Sequence, residues 1–319
     1  MKTINRFILL FLSLGMFYAC EDIIAEDISG DVVQVLFPQN DQIIYSNVVN
    51  FQWAELDGAD KYRIQVFNSN SGVVRDSVVS RNNVSFPMVA GNYQWRIRGE
   101  NSAYESNYTF NMNFSVVETN DLADQQIILS SPNDNFYTNN LNLILDWQDL
   151  NAADTYNFEL VNVTNGESIV NQQSNLTTSS VTLNSTILSN DAEYRWKVKG
   201  VNGTSETLFS SRKFYLDRVN PNTPQNTLPL NNATSNINQQ INFGWSIPGD
   251  TGIIQSTISY TIQFSNDVNF ASILQTTDVS GTSFQQSFAN AGDYYWRVRA
   301  KDLAGNVGSY SPVFKFTLN

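Results

Sequence analysis

Six tryptophans, falling in three pairs, constrain this chain more than any other feature. The pairs are Trp53 and Trp95, Trp147 and Trp196, and Trp245 and Trp296. The second of each pair sits in a copy of one motif: YQWRIRG (93–99), YRWKVKG (194–200) and YYWRVRA (294–300). The first sits in NFQW, ILDW or NFGW and is followed, after a polar turn, by YRIQV (62–66), YNFEL (156–160) or YTIQF (260–264). Each copy opens on a proline (Pro38, Pro132, Pro229) and closes on NFSV, KFYL or KFTL. A unit of about 90 to 100 residues, repeated in tandem, has the size of a single sandwich domain.

Every run in the unit is short, alternates with period two and is rich in Val, Ile, Phe, Tyr and Thr. Asn, Gly, Asp and Ser punctuate the runs, so the pattern predicts antiparallel strands and no helix beyond the N-terminal segment. Side chains alternate between faces along a strand, which puts Tyr294, Trp296 and Val298 on one face and Tyr295, Arg297 and Arg299 on the other. Arg, Lys and Gln occupy the second face in the copies, so it is the wet one and the first is dry. The same parity buries Tyr260, Ile262 and Phe264, and Phe243 and Trp245 from the opposite sheet. Trp53, Trp95, Trp147, Trp196, Trp245 and Trp296 are therefore read as core residues, the two of each repeat facing one another across the sandwich. Cys20 is the only cysteine, so no disulfide can join the sheets.

With these residues in view, the chain resembles fibronectin type III and related bacterial immunoglobulin-like repeats. Those carry a Tyr-x-Val-x-Val-x-Ala strand F and a Trp on strand B; here Trp replaces the first Val of the motif in every copy. The Tyr matches the tyrosine corner, whose hydroxyl bonds back to the backbone before the strand. Leu188 and Phe288 lie six residues before Tyr194 and Tyr294, as the Leu of that corner would, whereas Met88 lies five before Tyr93. KDLAGNVGSYSP (301–312) resembles the F–G hairpin of the bacterial domains. The resemblance implies an all-β chain of three tandem antiparallel β-sandwiches: residues 31–117, 127–216 and 225–319. Residues 118–126 form an acidic linker, read as flexible, and 217–224 a proline-containing one, read as stiffer.

Ahead of the repeats, Lys2 and Arg6 precede an apolar run from Phe7 to Phe17, the right length for a signal peptide and too short to span a bilayer. Phe17-Tyr18-Ala19-Cys20 resembles the lipobox of bacterial lipoproteins, apart from Phe17 where Leu is usual. The expectation is a signal peptide over 1–19, a diacylated Cys20 and an acidic tether over 20–30. Glu21 and Asp22, just after the Cys, resemble export signals of surface lipoproteins in some Gram-negative groups, which implies the outer membrane and its outer face. All 30 acidic residues follow Cys20, whereas two of the 18 basic ones precede it, so the mature chain is strongly acidic and unsuited to nucleic acid.

The chain holds no histidine, and with Cys20 lipidated it has no free thiol. That removes the commonest general base, the cysteine nucleophile and the usual zinc ligands. No phosphate loop or G-x-S-x-G elbow occurs. The expectation is a non-enzyme without cofactor, with no catalytic and no metal-ligating residue. Acids crowd two loops (Glu55, Asp57 and Asp60; Asp146, Asp149 and Asp154), and PNDN (132–135) adds further oxygens. Calcium is the secondary expectation there, behind ordinary solvated turns. Asp76-Ser77-Val78 fits a short bacterial O-glycosylation pattern, which nominates Ser77. Outward Arg96, Arg98, Lys197, Lys199, Arg297 and Arg299 are expected to pair across strands with acids such as Glu159.

These features together imply a surface-anchored lipoprotein for protein–protein interaction or spacing, as in adhesion or an outer-membrane complex. The alternative is glycan binding as an accessory of a nutrient-uptake assembly, which the resemblance to Sus-type lipoproteins implies. Tyr104, Phe136, Tyr137 and Tyr310 are its candidate ligand contacts.

Overall fold

A computed structural model describes residues 25–319, in which every regular element is a β-strand. The signal segment and Cys20 lie outside the described residues. The first repeat contains β1 (Val35–Phe37), β2 (Gln42–Ile44), β3 (Val48–Trp53), β4 (Lys61–Asn68), β5 (Val73–Val79), β6 (Asn83–Pro87), β7 (Gly91–Glu100) and β8 (Met112–Val116). The second contains β9 (Leu129–Ser131), β10 (Phe136–Thr138), β11 (Ile144–Trp147), β12 (Thr155–Asn162), β13 (Ser168–Leu176), β14 (Ser180–Thr182), β15 (Ala192–Val201) and β16 (Ser210–Leu216). The third contains β17 (Asn226–Leu228), β18 (Ala233–Ser235), β19 (Ile241–Trp245), β20 (Ser259–Ser265), β21 (Gln275–Val279), β22 (Ser283–Gln286), β23 (Gly292–Lys301) and β24 (Phe314–Leu318). The first repeat makes one compact unit, and the second and third together make another.

Each repeat is a sandwich of a three-stranded and a five-stranded sheet: β1-β3-β6 with β2-β8-β7-β4-β5, and the same order in the other two. The fold is all-β, as the alternating pattern implies. One pairing per repeat departs from the antiparallel expectation. The strand after the opening proline (β2, β10, β18) runs parallel to the last strand (β8, β16, β24). The chain crosses from one sheet to the other at Pro38, Pro132 or Pro229 without reversing direction, which leaves it parallel to its new neighbour.

Parity along the strands builds three separate cores. On β7, β15 and β23 the Tyr, Trp and aliphatic residue of each motif point inward, while the cations between them stay half-exposed. All six tryptophans are buried, none more than 4% exposed. Their arrangement differs from a face-to-face pair, since no ring contact joins the two tryptophans of a repeat among the described residues. The β7 and β23 tryptophans pack instead on the residue two before the other tryptophan, Phe51 with Trp95 at 5.0 Å and Phe243 with Trp296 at 5.3 Å. Trp53, Trp147 and Trp245 lean across the sandwich on the first Tyr of the next strand in the chain, Tyr62, Tyr156 and Tyr260, at 5.4, 5.5 and 5.4 Å. Two residues of one strand two positions apart share a face. In the first and third repeats the Phe and the Trp therefore both reach the facing sheet, the Phe meeting the tryptophan of β7 or β23 and the Trp the tyrosine of β4 or β20.

The tyrosine corner closes identically in all three. Tyr93, Tyr194 and Tyr294 donate to the carbonyls of Val89, Asn190 and Asn290 at 2.9, 2.8 and 3.0 Å. The first repeat makes this bond even with Met88 one position nearer in sequence. On the wet face the expected pairing with acids is met only in part: among the described residues Arg96, Arg297 and Arg299 pair with none, and Arg96 and Arg297 donate to Gln65 and Gln263 instead. Lys197 pairs with Glu159, Lys199 with Glu206 and Arg98 with Glu100 and Glu105. One aromatic lies over both cations of each motif: Tyr108 over Arg96 and Arg98, Phe209 over Lys197 and Lys199, Tyr310 over Arg297 and Arg299. The cations are spent within their own repeat on ion pairs and ring faces.

Candidate functional site

The residues nominated from sequence scatter over the molecule. Tyr310 sits 3.9 Å from the Arg297 guanidinium, as a lid on the cation rather than a free platform. Tyr137 stacks on Tyr215 at 4.5 Å, while Phe136, on the opposite face of β10, is 40% exposed. Tyr104 lies in the loop after β7, its backbone N–H held by Asn101 Oδ1 at 2.7 Å. Ser77 is half-buried in β5, opposite the fully buried Ile64, and neighbouring Asp76 is engaged by Arg63 at 2.8 Å. Neither of the acid-crowded loops brings three carboxylates together among the described residues.

A different set does converge. Asp217, Asp250 and Asp302 each place a carboxylate oxygen within 4.8 Å of the others. They come from three separate segments of one compact unit. Asp217 follows β16, and its N–H bonds to Thr138 O at 3.0 Å. Asp250 lies in the β19–β20 loop, where its two oxygens accept from the N–H groups of Thr251 and Ser256 at 2.9 and 2.7 Å. Asp302 follows β23, and its two oxygens accept from the backbone and side-chain nitrogens of Asn306, both at 2.8 Å. Asn306 Nδ2 also donates to Asp217 O at 2.9 Å, while Asn139 of the second repeat donates to Asn306 Oδ1 at 3.1 Å.

The connecting segment runs closely along these loops. Asn222 N–H reaches Gly249 O, and a Cβ at Gly308 would lie 2.5 Å from Pro221 O, so only glycine admits the chain there. Gly252, at φ +104°, turns the β19–β20 loop beneath Val219.

Electrostatically the set is out of balance. Asp217 is 1% exposed, and its Oδ1 accepts from Val219 N–H at 2.9 Å, but its buried Oδ2 has no hydrogen-bond partner among the described residues. Asp302 is 4% exposed. Among the described residues no lysine or arginine pairs with any of the three; the nearby Arg218 is engaged by Asp191. An ionised carboxylate buried without a counter-charge is costly and raises its own pKa. Asp217 is accordingly pushed up to about 6, chiefly by desolvation, with Asp302, Asp250 and Asp191 adding to it and the Val219 N–H opposing. All the donors are oxygen, the chemistry that suits hard cations and lacks the nitrogen and sulfur of a zinc centre.

Sequence reading missed this set, although both KDLAGN and the stretch opening at Asp217 drew notice separately. The available signal was length: 14 residues, 246–259, separate Trp245 from Tyr260, against eight (54–61 and 148–155) in the other repeats. Asp250 rides on that insertion.

No family model matches the chain, and no curated protein sequence does. Among solved structures, it is similar to the FN1–FN3 domains of chicken CNTN1, with 17% identity over 90% of this chain and 97% of that one, at a TM-score of 0.37. A segment of two fibronectin type III domains from chicken tenascin aligns at 16% identity over 57% of this chain and 97% of that one, at a TM-score of 0.23. The assignment to three β-sandwiches rests on the strand order and cores described above.

Proposed function

We propose that this chain is a non-catalytic lipoprotein, anchored through Cys20 to the outer membrane, that serves protein interaction or spacing at the surface. The observation that carries the reading is how each sandwich spends its repeated residues. The tryptophans fill cores, and the motif cations are taken up by acids and ring faces of the same repeat. What differs between repeats is therefore in the loops, where recognition is usually carried. Sandwiches with independent cores also suit a spacer, because each folds around its own apolar cluster.

Affinity purification of tagged protein from solubilised membranes, beside a polysaccharide retardation gel, tests this reading. A specific co-purifying protein, or neither partner, fits interaction or spacing respectively; retardation by a glycan alone would overturn both in favour of the uptake accessory. One observation favours that second reading, the half-buried Tyr137–Tyr215 stack on the outer face of the second sandwich. Lipidation has its own check. Cys20→Ala should accumulate as unprocessed precursor without label from a radioactive fatty acid, and normal processing of that variant would remove the anchor from the proposal.

A further inference from the structure

Three carboxylates of one cluster, two of them nearly inaccessible, converge with no ion-pair partner among the described residues. Two ligands of one calcium ion can be no more than about 5 Å apart, twice the usual 2.3–2.6 Å bond. The mutual separations within 4.8 Å satisfy that limit. The Asp217 Oδ2 lone pairs, buried and unpartnered, are the acceptor that lacks a match. The hydrogen bonds to Asp250 and Asp302 hold those side chains in place while leaving lone pairs free, since a carboxylate has about four acceptor positions and each oxygen here uses one.

We propose that Asp217, Asp250 and Asp302 bind a divalent cation, calcium before magnesium, and that the ion ties the third sandwich to the second. The choice of calcium follows from the donors. Three carboxylates can supply up to six oxygens at flexible distances, as calcium accepts, whereas magnesium keeps several waters and avoids all-protein cages. The mechanical consequence follows from where the ligands sit. Asp217 continues from β16 of the second repeat, and Asp250 and Asp302 belong to loops of the third. Asn139 and Asn306 already span the same junction, so an ion there would close a ring of contacts around the connecting segment. Ion binding at this junction needs no partner protein, because all three ligands belong to this chain.

The test is calorimetric titration of CaCl2, and separately MgCl2, into the full chain after chelation, with thermal unfolding in parallel. Expected is one saturable calcium site, of affinity anywhere from micromolar to about 1 mM, with the melting temperature rising by about 5 °C at saturation. Asp217→Asn and Asp302→Asn should each weaken calcium binding by at least roughly tenfold while retaining the wild-type tryptophan emission. No saturable heat and no shift in unfolding up to about 10 mM calcium would overturn the proposal, whatever the variants do. Equal binding by wild type and the Asp217→Asn, Asp302→Asn double variant would also overturn it, placing the ion elsewhere. Saturation by magnesium in preference to calcium would overturn the assignment of the ion.

Discussion

The segments that lead into the second and third sandwiches dock on the same part of their domains by opposite chemistry. At the end of β15, Asn202 Nδ2 donates to Asn120 O of the incoming segment and to Ala152 O of the β11–β12 loop, at 2.8 and 2.9 Å. Leu122 two residues on is fully buried. The first sandwich repeats this within itself: Asn101 Nδ2 donates to Glu26 O and Gly58 O, both at 2.8 Å, and Ile28 is fully buried. In the third sandwich the matching residue is Asp302, which cannot donate, and the donor to the incoming carbonyl has moved to Asn306. The residue matching Leu122 is Val219, 37% exposed, while Asp217 turns a carboxylate inward. One end is closed by neutral amide bonds and an apolar plug, the other by charges that need a counter-ion. The first kind holds under any ionic condition; the second can respond to one.

The largest expected effect lies in the cores, where the contrast should vanish. Trp196→Ala and Trp296→Ala each empty a fully buried site and should cost about 3–5 kcal/mol. Denaturant unfolding should give similar losses for both, equal with and without chelator. A calcium-dependent loss at Trp296 alone would show that the third core, and not just its end, depends on charge.

Exchanging the amide for an acid sharpens the contrast directly. Asn202→Asp removes both donated bonds and sets a carboxylate against two carbonyl oxygens, an expected loss on the order of 2–4 kcal/mol. Asp302→Asn in chelator should cost less, because the loss of one acceptor for Asn306 is offset by removing like charge from beside Asp217. Thermal unfolding in chelator should fall clearly for Asn202→Asp and much less for Asp302→Asn; equal losses would mean that both ends close in the same way.

The pH response of the metal-free protein probes the same difference. Asp217 titrates near 6 when folded and at 3.8 otherwise, so its native carboxyl holds its proton more tightly. Below about pH 4 both states are protonated and burial carries no charge. As pH rises from there to about 6 the unfolded chain ionises first, so stability falls, by up to about 3 kcal/mol, and then levels off. Wild type minus Asp217→Asn in unfolding free energy should show this fall, and a flat difference would show that Asp217 is not held in its protonated form.

The smallest effect concerns the motif's last position, Gly99, Gly200 or Ala300. A Cβ at Gly99 would meet Leu56 Cδ2 at 2.8 Å and Ala59 Cβ at 3.0 Å; one at Gly200 would meet Ala153 Cβ at 3.1 Å. Gly99→Ala should therefore destabilise its sandwich by about 1 kcal/mol in urea. An unchanged midpoint would show that the short loops are no tighter than the long one around Ala300.

Much of this was legible in the chain itself. Strand positions, buried tryptophans, inward tyrosines and the wet cationic face all follow from period-two alternation repeated three times, because which face a side chain takes depends only on its neighbours along the strand. The tyrosine corner was legible for the same reason, its acceptor lying four residues away. Cross-sheet partners were less so: parity gives the face, whereas the stagger of the sheets selects Phe51 and Phe243, not the second tryptophan, as the ring that Trp95 and Trp296 touch. Residues 118–126 read as a flexible linker by composition, yet Leu122 is fully buried there, since a single apolar residue needs only a receptive surface. The acidic cluster was legible least of all. Asp217, Asp250 and Asp302 lie in three connections that obey no periodicity, and their carboxylates meet only because the packed sheets bring the ends of those connections together. Alternation and residue type determined three sandwiches and what fills them; only tertiary structure, by closing long-range distances that no local pattern encodes, decided where charge would be left buried without a partner.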